Sequence, residues 1–445
     1  MLTAHLNIRS FSANRRRRPA LRAGFTLVEL MISMMILGLL TSIIYGLFHT
    51  TAETLTEVDS LAETTDIARF ALEHVRNDLQ AAGSQATPDS KLDSWSQPKP
   101  STVQVRGLLP YSGWRGKTIG DLMGGTDGAA LSTANPQSRF DGMVIVGAYD
   151  IPQSVMLGNV AAGSARINTH VRGLHRIVLS DPFRTEVSTP SGFDITTPST
   201  KAAVEQKMAT RLVRLTDRQG FFHFTGIKTA VADGTGMALE FDPSLKVATG
   251  GAPYGIESVA EVDVEYDAAF LDGFWYRVVP DPFDRSNLQL VRERVDISTL
   301  HQTTLEPALA TWAPASSLVS DRVVIANRVV DFRLWFDCGE TTNGIVTDIA
   351  WNQGWTTPAS SCMEGANKVP HLARVAHIRL SVRTEHERPN RPHLTVTNDA
   401  SWRGFEAVNG PMRSYDIEPN AIGSASVVTV QATVELTNFA MRNIF

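Results

Sequence analysis

One carboxylate stands inside an apolar run near the start of this 445-residue chain. From Phe25 to Phe48 the only charged residue is Glu29, and the run directly follows Gly24. A carboxylic acid within a membrane-spanning helix costs about 2.5–3.5 kcal/mol on insertion scales, and more when it stays ionised without a partner. We therefore expect Glu29 to have a partner that compensates its charge.

The apolar run is long enough to cross a bilayer, because its 24 residues would extend about 36 Å as an α-helix. Six arginines and no acid precede it: Arg9, Arg15, Arg16, Arg17, Arg18 and Arg22. From His49 to Ala68 there is no Lys or Arg, and the charged residues are all acidic: Glu53, Glu57, Asp59, Glu63 and Asp66. The arginine run could be taken for a nucleic-acid patch, but its position favours an orientation signal with the arginines in the cytoplasm.

The junction itself resembles the class III signal of type IV prepilins; it reads Arg22-Ala23-Gly24-Phe25-Thr26-Leu27-Val28-Glu29-Leu30. In that family a dedicated peptidase cuts after the glycine and methylates the new N-terminal phenylalanine. The acid five residues into the mature chain then meets the N-terminal ammonium of a neighbouring subunit. The resemblance implies cleavage between Gly24 and Phe25, N-methylation of Phe25, and Glu29 as the assembly carboxylate. The alternative is a signal anchor with a stray Glu; a secretory signal would be cut after its apolar run.

The chain divides into four segments on this interpretation: a leader at 1–24, a transmembrane and assembly helix at 25–48, an amphipathic continuation at 49–83, and a β-rich periplasmic domain at 84–445. Apolar or small residues recur at steps of three and four in the third segment, which predicts one buried helical stripe: Leu55, Val58, Ala62, Thr65, Ala68, Leu72, Val75 and Leu79. Gly83 is expected to end the helix.

Beyond Gly83 the sequence predicts mostly strands. Residues 84–139 read as loop, and residues 151–260 as a second lobe or long insertion. The strands are expected at 142–147, 175–179, 238–241, 262–266, 274–279, 288–295, 329–336, 373–382 and 426–436. The expected fold class is therefore α+β, with a long N-terminal helix packed on a mostly antiparallel sheet as in type IV pilins.

Charge and cysteine content fit a protein outside the cytoplasm. Removing the six leader arginines leaves 35 basic residues against 46 acidic ones, a mature net charge of −11, which gives no reason to expect nucleic-acid binding. The two cysteines, Cys338 and Cys362, would meet an oxidising environment there and are expected to form a disulfide. Two free thiols or half of a metal site are the alternatives.

Several later segments resemble the PilW family of large minor pilins. They are the helix exit at 68–83, Asp141 with the strand after it, and three C-terminal segments at 329–334, 375–383 and 436–438. The resemblance implies an inner-membrane protein that enters a pilus and helps to initiate its assembly in a tip or priming complex. The implied partners are prepilin peptidase, other minor and major pilins, the inner-membrane assembly platform and, optionally, a tip adhesin. A type II secretion pseudopilin and a membrane-anchored binding ectodomain are the alternatives.

No residue pattern in the ectodomain predicts an enzyme, a cofactor or a metal centre. The sequence Arg115-Gly116-Lys117-Thr118 matches the end of a phosphate-binding loop, but Tyr111 replaces the first glycine, and no clear helix is expected after it. His371 and His377 lack a third ligand. The stretch 281–287 could bind calcium but reads as a turn. Trp351 and Trp355 are expected to pack under the cysteine loop; an adhesive or subunit surface is the alternative.

Overall fold

The computed structural model divides the chain into two compact units, Met1–Asp59 and Ser60–Phe445. It describes residues 26–86, 107–109, 111, 113–149, 155–161, 164–168, 211–216, 222–232, 236–242, 266–284, 286–297, 309, 312, 319–342, 345–349, 362, 372–387, 412–418 and 423–440. The helices are α1 (Leu27–Ala81), α2 (Ile119–Met123), α3 (Gly125–Ala134) and α4 (Thr437–Ala440). The strands are β1 (Leu108–Leu109), β2 (Met143–Gly147), β3 (Val155–Ala161), β4 (Ser164–Asn168), β5 (Leu212–Thr216), β6 (Phe222–Ala232), β7 (Gly236–Asp242), β8 (Tyr266–Pro280), β9 (Leu288–Val295), β10 (Val319–Ala326), β11 (Val329–Thr342), β12 (Ile345–Ile349), β13 (Ala373–Arg383), β14 (Ser414–Tyr415) and β15 (Ala425–Glu435).

Helix α1 has 55 residues, and its first part is long and apolar enough to span a membrane. None of its most apolar stretch is buried within the chain. Its later part belongs to the globular unit and buries Ala68, Leu72, Val75 and Leu79. The predicted stripe is therefore confirmed from Ala68 onward. It is wrong for Leu55 and Val58, which lie before the globular unit begins and are 60% and 56% exposed, and for Ala62, which is exposed within that unit.

The C-terminal end of α1 is closed by hydrogen bonds from distant parts of the chain. Gly83 has φ of +75°, as expected for a residue that ends a helix. The Asn438 amide donates to the carbonyls of Gln80 and Ala82, at 2.9 and 3.1 Å. The Tyr149 hydroxyl donates to the Asp78 carbonyl at 3.0 Å. The last turn of α1 is thereby joined to the segment after β2 and to α4.

Five antiparallel strands, β1, β2, β8, β9 and β10, form one end of the first sheet. One side chain of β8 and one of β9 bind the Asp78 carboxylate of α1. The Tyr276 hydroxyl donates to Asp78 at 2.5 Å, and the Arg292 Nε donates at 2.8 Å. Because Tyr276 uses its proton there, the His74 Nδ1 atom, 2.9 Å from the same hydroxyl, is assigned as a donor. This chain of buried polar groups fixes α1 on the sheet.

The first half of β8 belongs to a closed ring of six antiparallel strands. It pairs with β3 on one side and β5 on the other, and the ring continues through β4, β7 and β6. The five strands other than β8 lie between residues 155 and 242, inside the segment for which the sequence predicts an inserted lobe. A buried ion pair between Arg211 and Asp272, at 3.1 Å, joins the start of β5 to the middle of β8.

The second sheet has five antiparallel strands in the order β12-β11-β13-β15-β14. All eleven residues of β13 are buried between its two neighbours. The sheet is joined to the segment before β2 by Asp141, whose two carboxylate oxygens accept hydrogen bonds from the N–H groups of Gly116 and Leu334, both at 2.8 Å. This buried carboxylate therefore connects the 113–118 segment to β11.

The strands predicted at 142–147, 238–241, 274–279, 288–295, 329–336, 373–382 and 426–436 are confirmed within one or two residues at most ends, although β7, β8 and β11 are longer than expected. The strand predicted at 175–179 lies outside the described residues, and so does the one predicted at 262–266 except for Tyr266, which begins β8. The expectation that 84–139 is only loop is wrong, because α2 and α3 occupy part of it. The signal was a capping box, in which Thr118 and Asp121 bind each other's backbone N–H.

Replacement of Asn438 tests the closure of α1. Asn438→Ala removes two donors and should lower the free energy of unfolding by about 1–2 kcal/mol. Asn438→Asp should cost more, because a carboxylate would face two carbonyl oxygens at the negative end of the helix. Denaturant unfolding of the detergent-solubilised full-length protein measures both, with Asn77→Ala at an exposed α1 position as the control. If Asn438→Asp were as stable as the unaltered protein, the Asn438 amide would not be the donor that closes α1.

Burial raises the pKa of Asp141 to about 6, although the two N–H donors oppose the shift. Between about pH 4 and 6 the folded protein then holds a proton that the unfolded chain has released. The contribution of this group to stability is therefore complete below about pH 4 and declines as pH rises to about 6. Asp141→Asn keeps only one accepting oxygen, so it should be less stable at acid pH but lose less stability over this interval. Unfolding free energies measured at four pH values give the change of stability with pH for the variant and the unaltered protein. Asp127→Asn, at an exposed position, is the control and should not alter that pH dependence.

Candidate assembly site

Glu29 closes the N-terminal end of α1 with its own side chain. One carboxylate oxygen accepts hydrogen bonds from the backbone N–H and the hydroxyl of Thr26, both at 3.0 Å. The Glu29 N–H in turn donates to the Thr26 hydroxyl at 3.2 Å. This is the reciprocal capping box typical of a Thr three residues before a Glu. The arrangement places the carboxylate beside the backbone that directly follows Phe25.

The surroundings of Glu29 on α1 are apolar and exposed within a single chain. Its neighbours Leu27, Val28 and Leu30 are each more than half exposed. An uncharged surface of this kind is suited to lipid or to other apolar helices. The predicted cleavage residues Gly24 and Phe25 lie outside the described residues, so their assignment stays a prediction from the sequence.

Cys338 and Cys362 are joined by a disulfide in the structure, with their Cα atoms 5.9 Å apart. Cys338 lies within β11, and Cys362 is buried. The bond ties the segment that follows β12 back to the second sheet. Trp351 and Trp355, between the two cysteines, lie outside the described residues.

The other polar residues singled out from the sequence make structural contacts. Asp281 and Asp284 accept hydrogen bonds from Phe283 N and Ser286 N in the β8–β9 turn. His377 lies 2.9 Å from Asp337 across the second sheet, and His371 is outside the described residues. Within the described part of the chain, no group of three His, Cys, Asp or Glu side chains could hold a metal ion.

The sequence 115–118 precedes a helix after all, which corrects the expectation that none follows. The helix α2 has only five residues, and Thr118 and Asp121 cap its start. The Gly116 N–H is bound by Asp141. The Lys117 N–H donates to the Phe140 carbonyl, and the Thr118 N–H donates to the Asp121 carboxylate. These backbone donors, which a phosphate would need, are thus bonded within the chain.

Three residues that organise the structure were not predicted as sites: Asp78, Asp141 and Asn438. All three lie in segments that resemble the PilW family, yet no local pattern marks a buried carboxylate or an amide that caps a distant helix. Asn438 follows the last strand by three residues, and only its contact with α1 reveals its part. Their partners are distant in sequence, so no motif of short span could have found them.

Comparison with known proteins identifies the N-terminal region alone. A model of the prokaryotic N-terminal methylation motif matches residues 20–45. No curated protein matches the chain significantly, and no solved structure does.

The motif, the long apolar helix and the antiparallel sheets together support a type IV pilin-like protein with an α+β layout. More particularly, the motif suggests a pilin-type or pseudopilin substrate of prepilin peptidase that associates with other pilins. It points to a structural protein rather than an enzyme. The apolar helix fits a single-pass inner-membrane anchor with a C-terminal ectodomain.

Loss of the disulfide should lower stability. The bond closes a loop of about 25 residues, for which the chain-entropy model gives on the order of 3 kcal/mol. A Cys338→Ser, Cys362→Ser double variant should therefore unfold at a lower denaturant concentration than the oxidised protein. Reductant should shift the unaltered protein toward the variant and leave the variant unchanged. An unaltered midpoint in the double variant would refute a stabilising role.

Proposed function

We propose that this chain is a PilW-like minor pilin that helps to initiate type IV pilus assembly within a tip or priming complex. The observation that carries the proposal is Glu29, the only charged residue in the 25–48 run, which lies inside the matched methylation motif. The carboxylate faces apolar surroundings in which an ammonium and a carboxylate are each costly alone. Docking a subunit so that its Phe25 ammonium meets a neighbour's Glu29 removes both costs.

The structure adds support from the segments that resemble the PilW family. The segments 329–334 and 375–383 form parts of β11 and β13, which pair with each other. Asn438, at the end of the third C-terminal segment, binds the helix exit. These segments are therefore neighbours in one globular unit, as expected for parts of one ectodomain fold.

The second candidate is a type II secretion pseudopilin, because the methylation motif belongs equally to that class. Both candidates predict the same N-terminal chemistry. They differ in where the processed protein is found, since only a pilus subunit is recovered from sheared surface filaments.

The experiment is N-terminal mass spectrometry of the full-length chain recovered from native membranes and from sheared filaments. An N-methylated Phe25 in filaments is expected. Gly24→Leu should leave the leader attached, because the peptidase requires a small residue there. An intact leader on the unaltered protein, or a cut after Phe48, would overturn the proposal. A processed chain found only in membranes would favour the pseudopilin.

Glu29→Ala should leave processing intact and reduce incorporation into filaments at least about tenfold. The reason is that a neighbour's buried ammonium loses its partner, which costs about 3–5 kcal/mol. The matched control is Thr26→Val, which removes the capping hydroxyl but keeps the carboxylate. Quantitative blots of filament and membrane fractions compare the two variants. Normal incorporation of Glu29→Ala would contradict the assigned role, and an equal loss in Thr26→Val would show that helix capping, not charge pairing, matters.

A further inference from the structure

The chain passes from the first sheet to the second through a two-residue link, Asn327-Arg328, which joins β10 to β11. Arg328 has φ of +61°, a left-handed conformation that is costly for residues with a Cβ atom but not for glycine. Its N–H donates to the Asn287 side-chain oxygen at 2.8 Å, and its carbonyl accepts from the Arg383 N–H at 2.9 Å. Glycine could make both of these backbone bonds without strain, so the reason for an arginine here lies in its side chain.

The Arg328 guanidinium joins α1 to the second sheet. One terminal nitrogen donates to Glu63 of α1 at 2.5 Å, and the other donates to Glu385, two residues after β13, at 3.3 Å. The arginine side chain is only 12% exposed, whereas those of Glu63 and Glu385 are 60% and 62% exposed. Both carboxylates would remain in contact with water without the guanidinium, so losing either ion pair would leave no buried carboxylate.

Glu63 lies in the first turn of α1 that belongs to the globular unit. The helix is packed weakly there, because its two large apolar side chains, Leu61 and Ile67, are only partly buried. The fully buried side chains that precede Leu72 are all small: Thr64, Ala68 and Ala71. Small side chains remove little apolar area from water, so packing stabilises this entry of α1 less than it stabilises the later turns.

We propose that Arg328 is a positioning residue that holds the entry of α1 against both sheets through Glu63. Its backbone is bonded to the β8–β9 turn of the first sheet and to β13 of the second, so a helix bonded to its guanidinium is fixed to both. The left-handed backbone is retained because glycine could not make this contact. The Arg328 clasp, meaning Arg328 with Glu63 and Glu385, secures the entry of α1 as Asn438 secures its exit.

The effect of the clasp on assembly rests on the proposed function. In an assembled pilus other subunits bind the N-terminal half of α1 through Glu29, while the weakly packed entry has to stay docked on its own globular unit. The ion pair at Glu63 opposes local opening of the helix at that point. The clasp itself does not rest on the proposed function, so separate measurements test the clasp and its effect on assembly.

Hydrogen exchange of the backbone N–H groups of residues 60–67 tests the clasp in the detergent-solubilised full-length protein. Glu63→Gln should speed exchange there at least about threefold, because the ion pair no longer opposes opening. Exchange over residues 72–79 and the midpoint of unfolding should stay nearly unchanged. The matched control is Glu385→Gln, which removes the other exposed carboxylate of the same guanidinium and should leave exchange over 60–67 nearly as it was.

A double-mutant cycle shows whether Glu63 acts through Arg328. Arg328→Gly should also speed exchange over 60–67, and the double variant with Glu63→Gln should exchange no faster than the faster of the two single variants. Unaltered exchange over 60–67 in Glu63→Gln would overturn the clasp. Equal acceleration in Glu385→Gln, or effects of the two substitutions that simply add, would also overturn it.

Quantitative blots of filament and membrane fractions test the effect on assembly. Glu63→Gln should be processed like the unaltered protein but enter filaments at least about threefold less, and Glu385→Gln should enter them normally. Faster exchange over 60–67 with normal incorporation of Glu63→Gln would overturn the positioning role in assembly. An intact leader on the unaltered protein would overturn the proposed function and this role with it, whereas the exchange rates would still decide the clasp.

Discussion

The last turn of α1 leaves carbonyl groups that the helix itself cannot bond, and the globular unit depends on how they are satisfied. The Tyr149 hydroxyl and the Asn438 amide supply donors to Asp78, Gln80 and Ala82. These donors come from the segment after β2 and from the end of the chain. Because the last carbonyls of a helix need donors from outside it, these bonds bring the beginning and the end of the ectodomain together at one point.

The same helix carries two carboxylates with different surroundings. Asp78 is buried; Arg292 compensates its charge within the chain, and the Tyr276 hydroxyl donates a hydrogen bond to it. Among the described residues, Glu29 accepts hydrogen bonds from Thr26 and has exposed apolar neighbours on α1. A buried charge paired inside the fold fixes the helix on its sheet, whereas one without an internal cation favours a partner outside the chain. Asp78 thus stabilises the fold at one end of α1, and the proposed association through Glu29 lies at the other end.

Sequence patterns predicted elements wherever local periodicity and packing agree. Strand β9 was predicted with its bounds, and the end of α1 was predicted from Gly83. The patterns failed where tertiary contacts decide. Leu55 fits the helical stripe but lies before the globular unit, so no sheet covers it. The helices α2 and α3 are short and contain three glycines, and the ring between 155 and 271 is closed by pairing β8 with β3 and β5, which lie far from it in sequence.

The sequence by itself determined the apolar span, its single acid and the motif around it, because these depend on residue type and spacing within about 30 positions. It also determined several of the later strands, among them β2, β9 and β13, since alternation along a strand is local. Only the tertiary structure decided that Asn438 closes α1 and that Asp141 joins β11 to the 113–118 segment. Each of these depends on groups brought together over long sequence distances, for which a single chain's pattern holds no local signal.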